Sequence, residues 1–379
     1  MYIYITCLIC TFTIGTLIKK IKRYDNNRVF LLDFIAALKG YNTLWVKDPI
    51  LAGIVLNNSF VKGDFIEKLI ATPAWLPIIS LESVDGLQWE RMIKNFKKFV
   101  KLLPDDNNLF KIFEKNTKIL IEKNIVIDSP ELARLTIACF TEWIFEIPFQ
   151  VEWNFVADAS WEWRKEIAMK GKSDIKIKQK VVNWAIELLQ KSKYSNLFDW
   201  KDPENYSLLL QPFIISPAIN FTDIAVSIKN TNDNTEKTNI KDENTEKTNI
   251  KDMILKSIYE KHPFPILERW LPNGIVKYNI QKNTQVFIPL DQIGSFHQYD
   301  ILKNKFFVFG VGKRMCPGQK IAMGSMISMF SILLKEENFK PNIKHLYSGR
   351  DTDGKETLFQ GFYQIYKILE IILDILFKK

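Results

Sequence analysis

The sequence predicts a mainly α-helical protein with small β-sheets, placed behind a single membrane-spanning segment at its N-terminus. Three observations carry this expectation. Amphipathic helical patterning dominates residues 24–230, strand-like alternation is confined to a few short stretches, and residues 1–18 carry no charged side chain. With 379 residues, 47% hydrophobic and 25% charged, the chain has the balance of one that folds around a core. The formal net charge of +9 does not indicate nucleic acid. It fits an acidic protein partner or an anionic membrane surface equally well.

The first element is the apolar run MYIYITCLICTFTIGTLI, residues 1–18, followed at once by the basic cluster KKIKR from Lys19 to Arg23. As a helix the run rises about 27 Å, close to the ~30 Å hydrocarbon core of a bilayer. A cleaved signal peptide carries its positive charge first; here the charge comes last, which points to an anchor with residues 19–379 on the cytosolic side. The competing reading is a buried N-terminal helix of a soluble protein.

Four helices then follow from caps and periodicity. Asp48 caps a helix to Asn58 that has Pro49 in its first turn. Asp85 to Leu103 places Trp89, Ile93, Phe96 and Val100 on one face. Ser129 caps a helix to Phe145, and Ser173 caps another to Tyr194. NTEKTNIKD then occurs twice, at residues 234–242 and 244–252, so residues 228–251 read as a polar disordered insert. Beyond it, HPFPILERW (His262 to Trp270) is extended and Asn283 to Gly294 alternates as a strand. Residues 306–336 run from a loop into an apolar helix, and the C-terminal tail holds a strand and a last amphipathic helix.

The four cysteines, Cys7, Cys10, Cys139 and Cys316, exclude a disulfide scaffold. Cys7 and Cys10 have Cys-x-x-Cys spacing but lie in the apolar run with no second pair. His262, His297 and His345 are dispersed, so a protein-only zinc site is not expected. Two phosphate-loop patterns also fail. Gly310 and Gly312 are followed by Met315 where a third glycine belongs, and Gly171-Lys172-Ser173 lacks its first glycine at Glu166.

The stretch F-G-V-G-K-R-M-C-P-G, Phe309 to Gly318, carries the chemistry. Gly310 and Gly312 permit turns closed to other residues. Cys316 precedes an apolar helix and has Lys313 and Arg314 nearby, all of which favour a thiolate suited to hold a metal by one sulfur.

This stretch resembles the haem-binding loop of the cytochromes P450, F-x-x-G-x-R-x-C-x-G, at Phe309, Gly312, Arg314, Cys316 and Gly318. The resemblance implies haem b with Cys316 as axial iron ligand, Phe309 over the sulfur side of the ring, and Arg314 on a propionate. It also implies Arg269 on a propionate, from similarity of PFPILERW to the segment after the family's K helix, and Trp89 as another donor. Ile93 stands where the family has arginine, so Arg91 or Lys94 would have to substitute. The family's E-x-x-R pair is absent near residues 256–259, and its A-G-x-[DE]-T-[TS] stretch has no counterpart beyond Thr222 and Asp223.

Three readings follow. The first is a membrane-anchored haem-thiolate monooxygenase of the endoplasmic reticulum. It would insert one atom of O₂ into a lipophilic substrate with electrons from a flavoprotein reductase docked near Lys313, Arg314 and Lys320. The second is a catalytically impaired haem-binding relative. The third is an unrelated helical protein with a plain thiol. An absorption spectrum separates the third from the others, and turnover separates the first two.

Overall fold

The computed structural model describes residues 25–59, 61–63, 65, 67–167, 171–232, 243–260, 266–290, 293, 309–341 and 358–377. The apolar run 1–18, the basic cluster and the middle of the expected insert lie outside these residues. The described architecture is mainly helical with one small mixed sheet, as the sequence predicts.

The chain enters through α1 (Asp25–Leu38), β1 (Asn42–Trp45) and α2 (Pro49–Asn58). The Asp48 side chain accepts from the Leu51 N–H at 2.7 Å, so α2 begins where its cap predicts. β1 pairs in parallel with β3 (Thr284–Pro289), and β2 (Ile266–Leu271) pairs antiparallel on its other side. The expected extended segment around Arg269 is therefore an outer strand of this sheet, and Arg269 lies opposite Val286.

The helical body contains α3 (Thr72–Trp75), α4 (Gly86–Val100), α5 (Asp106–Glu122), α6 (Ser129–Phe145), α7 (Asn154–Ile167) and α8 (Ile175–Lys191). Two caps differ by one residue from expectation. Asp128 caps α6 by accepting from the Glu131 N–H, and Asp174 caps α8 by accepting from the Lys176 N–H. In each case the aspartate beside the serine meets the helix N-terminus instead. α6 is buried along most of its length, and its aromatic residues join those of α4 in the main core.

A continuous helical run crosses this core as α9 (Pro203–Leu209), a π-helical segment (Leu210–Ile215) and α10 (Ser216–Asn232). Among the described residues only Pro203–Lys229 is long and apolar enough to cross a bilayer, and 83% of its apolar window is buried in the protein, which marks a core helix. Pro212 and Pro217 lack the N–H that an α-helix would bond four residues back, which accounts for the widened turn between them.

α11 (Glu243–Glu260) corrects part of the disordered-insert expectation, because the second NTEKTNIKD copy forms its first half. Its Ile250 continues a stripe with Ile254 and Ile258, all three buried, and this stripe supplies the apolar surface that the repeat alone lacks. Residues 233–242 lie outside the described set. α12 (Gln319–Leu333) packs on α5 and α11, and a Cβ on its Gly324 would collide with the Phe110 ring. α13 (Leu358–Phe377) is helical throughout, so the strand expected in the tail is absent over these residues.

Candidate active site

The loop from Phe309 to Gly318 is built as its glycines require. Gly310 and Gly312 have φ of 74° and 71°, a region side chains strain to enter. A Cβ on Gly312 would also meet Leu56 O and Asn57 Oδ1 at 3.0 Å, so the loop rests against the end of α2. Gly312–Arg314 form a 3₁₀ turn, and the Cys316 N–H returns to Phe309 O at 2.7 Å. Gly318, not Cys316, is the N-cap of α12. A Cβ on Gly318 would approach the Cys316 sulfur to 3.8 Å.

Cys316 opens on a cavity of about 270 Å³. Trp89, Ile93, Phe96 and Val100, the face predicted for α4, form one wall, and Phe213, Phe221 and Ile224 form another. Cys316 is exposed as a residue and lines this cavity. Desolvation pushes its pKa up to about 11 against a hydrogen bond from the Gly318 backbone, and the nearby Glu82 charge raises it further. Without a bound metal, desolvation thus disfavours the thiolate form of Cys316. Lys313 is exposed, and the Arg314 charge is answered by Asp85. A metal binding here has to displace the proton.

Arg314 is buried. It donates to Leu81 O at 3.3 Å, to Val84 O at 2.8 Å and to the Asp85 carboxylate, and stacks 4.4 Å over the Trp89 ring. The loop and α4 are thus brought together as the resemblance implies, through a pair the sequence does not announce. Arg314 is consequently no part of an exposed docking surface, whereas Lys320 is exposed and pairs with Asp106 at 2.8 Å. Arg269 also lines the cavity; its Nε donates to Ser59 O at 3.0 Å and its Nη1 to Glu268 O at 2.7 Å. Arg91 and Lys94 do not reach the cavity. Arg91 is exposed and clasps Glu204, with Nε 2.6 Å from Oε2, and Lys94 faces solvent.

Thr222 and Asp223 are not in the cavity wall either. The Thr222 hydroxyl bonds Ala218 O at 2.8 Å, and Asp223 pairs with Arg164 of α7 at 3.2 Å. The polar residues of the same helical run that do face the cavity are Ser207, Gln211, Ser216 and Asn220, spaced by four, five and four. In a uniform α-helix a five-residue step turns by about 140°. The extra residue of the π segment restores the common face. Ser207 Oγ accepts from the Ile79 N–H at 2.9 Å and Gln211 Oε1 from the Leu81 N–H at 3.0 Å, which pins the segment carrying Glu82. Glu82 also lines the cavity, and desolvation pushes its pKa up to about 7 against the pull of Lys62. Sequence reading missed this set; the five-residue spacing of Pro212 and Pro217 within a 4-5-4 polar pattern was its only signal.

No group of three or more His, Cys, Asp or Glu side chains could hold a metal ion among the described residues. A metal on Cys316 must therefore bring most of its ligands with it. One soft sulfur, two apolar walls and the cations Arg269 and Arg314 on the same cavity fit a flat apolar macrocycle with acidic substituents, which is what haem is.

No protein-family model and no curated protein sequence matches the chain. Solved structures do. A six-coordinated cytochrome P450 from Thermus thermophilus superposes with a TM-score of 0.58 at 14% identity, covering 81% of this chain and 89% of that one. CYP175A1, from another strain of the same organism, gives 0.56 at 14% identity, covering 77% and 81%. A zebra fish cytochrome P450 determined with progesterone gives 0.56 at 16%, covering 77% and 86%. The chain has the cytochrome P450 fold.

Proposed function

We propose that the protein is a haem-thiolate monooxygenase acting on a lipophilic small molecule, anchored by residues 1–18 with its body in the cytosol and supplied with electrons by a flavoprotein reductase. The observation that carries this reading is the placement of Cys316. It stands at the mouth of an apolar cavity, before the N-terminus of α12, in a chain with the cytochrome P450 fold. When bound, haem supplies the activation of O₂.

The chain's own residues supply the rest. Cys316 gives up its proton and holds the iron by sulfur. Arg269 and Arg314 answer the acidic groups, Arg314 by exchanging Asp85 for a propionate. The walls from α4 and α10 exclude water and take up an apolar substrate. Ser216 is the residue best placed to hold the water that carries protons inward: its Oγ is buried without a hydrogen-bond partner, and Asn220 follows one turn later on the same face.

A second reading, haem binding without productive oxygen chemistry, is favoured by the outward placement of Thr222 and Asp223. Product formed per NADPH consumed, measured with a reductase and a panel of lipophilic substrates, separates the two. On the first reading Ser216→Ala lowers that ratio about tenfold or more while peroxide rises, since a positioned proton-transfer group contributes ~100-fold. Negligible product from the unsubstituted protein, with haem fully retained, decides for the second reading.

A further inference from the structure

α13 is apolar on two sides and covered on one. Its Ile375 packs into the small cluster of Leu32, Ile35 and Ala36 from α1 with Phe65 and Phe287. The opposite side presents Tyr366, Leu369, Leu373, Leu376 and Phe377, between 37% and 78% exposed. The spacing of three, four and three draws one stripe about 15 Å long. Lys367, paired with Glu370 at 2.9 Å, and Asp374 flank this stripe without interrupting it. A contiguous apolar face of this kind on a folded surface marks a place of contact.

We propose that this face lies on a lipid bilayer, with α13 as an interfacial helix whose stripe sits at the boundary between headgroups and acyl chains. The position of the helix argues for lipid as the occupant. α13 packs against α1, and α1 begins at Asp25, only six residues beyond the apolar run 1–18. Six residues span at most about 22 Å, so a bilayer that takes up the run is held close to this corner of the protein. Charge argues the same way. KKIKR precedes α1 in the sequence and Lys378 and Lys379 follow α13, a basic composition at both helices' ends that suits anionic headgroups. The inference rests on the anchor reading for residues 1–18, and its function would be to fix the tilt of the body on the membrane.

The test uses the full-length chain in vesicles of phosphatidylcholine with phosphatidylserine. The photo-cross-linking substitution Leu373→p-benzoylphenylalanine is made in one preparation and Ile9→p-benzoylphenylalanine in another. Position 373 is half exposed, so the bulkier ring is accommodated without repacking the core. The expected result is a lipid adduct at both positions in comparable yield. A lipid adduct at position 9 with none at position 373 overturns the interfacial helix and leaves the anchor standing. An adduct joining position 373 to residues 1–18, or to a second copy of the chain, also overturns it. Lipid at position 373 without lipid at position 9 keeps the helix on the membrane and removes the anchor.

Discussion

The buried ion pair between Arg164 and Asp223 provides the sharpest separation between structural and functional roles in this protein. Sequence pattern alone makes Asp223, beside Thr222, the natural candidate for oxygen-side acid chemistry. The structure places its carboxylate 3.2 Å from the Arg164 guanidinium, both side chains 6% exposed, in the contact between α7 and α10 and away from the cavity. Asp223→Asn keeps the shape and removes the charge, so the buried Arg164 loses this ion pair while keeping its other neighbours, Glu82 among the charges it acts on. Breaking one side of a buried pair costs ~3–5 kcal/mol, and the retained amide oxygen brings the expectation to the lower end, about 3 kcal/mol. With a urea dependence of about 3 kcal/mol per molar, the unfolding midpoint falls by about 1 M. Arg164→Met combined with Asp223→Leu should recover most of that loss, because an apolar pair of similar volume removes both desolvation penalties. Product per NADPH in the folded fraction should stay at the level of the unsubstituted protein. An Asp223→Asn protein that is fully stable but loses product yield would refute this assignment and put Asp223 in the proton path.

Two further predictions test the cavity and the core. Glu82 has its pKa raised from 4.5 to about 7, so its contribution to stability is fully present below pH 4.5 and is lost as the pH rises through 7. Glu82→Gln should therefore stabilise the haem-free protein at pH 8 and leave it unchanged at pH 4.5. The shift corresponds to ~3 kcal/mol, reduced to ~1–2 by water entering the cavity; equal midpoints for the two proteins at pH 8 would contradict it. Gly324→Ala puts a methyl group where the Phe110 ring stands, and the displacement should cost ~1–3 kcal/mol in thermal or urea unfolding. Phe110→Leu in the same chain should restore part of this, and a neutral Gly324→Ala would show that α5 and α12 do not approach so closely.

Much of the fold and the shape of the loop around Cys316 were legible because each is written locally. The Asp48 cap, the stripe from Trp89 to Val100 and the glycines of the loop act through residues a few positions apart, and each appears where the sequence puts it. What the sequence hid depends on distant partners. Arg314 reads as a free cation until Asp85, 229 positions away, is brought against it. Lys313 and Arg314 stand near Cys316 in the sequence, but the Arg314 charge is turned to Asp85 and burial raises the pKa of the thiol. Thr222 and Asp223 look functional in a linear motif, whereas the π segment sets which residues of the run face inward and selects Ser216 and Asn220. The second repeat copy looked disordered because its composition was weighed without the isoleucines that follow it. Asn-x-Ser/Thr sequons start at Asn57, Asn205 and Asn220; Asn205 is buried and Asn220 faces the cavity, so Asn57 at the end of α2 is the one whose glycosylation would test the proposed cytosolic body.

The central claim is that Cys316 holds haem iron by its sulfur, and the spectrum of the full-length, haem-reconstituted protein after reduction under carbon monoxide tests it most directly. A thiolate trans to carbon monoxide gives the strongly red-shifted Soret band that names the family. The account predicts this band for the unsubstituted protein and its loss in Cys316→Ser, whose neutral hydroxyl is a poor iron ligand at pH 7. A thiolate-type band that survives Cys316→Ser, or none in the haem-loaded unsubstituted protein, would contradict it.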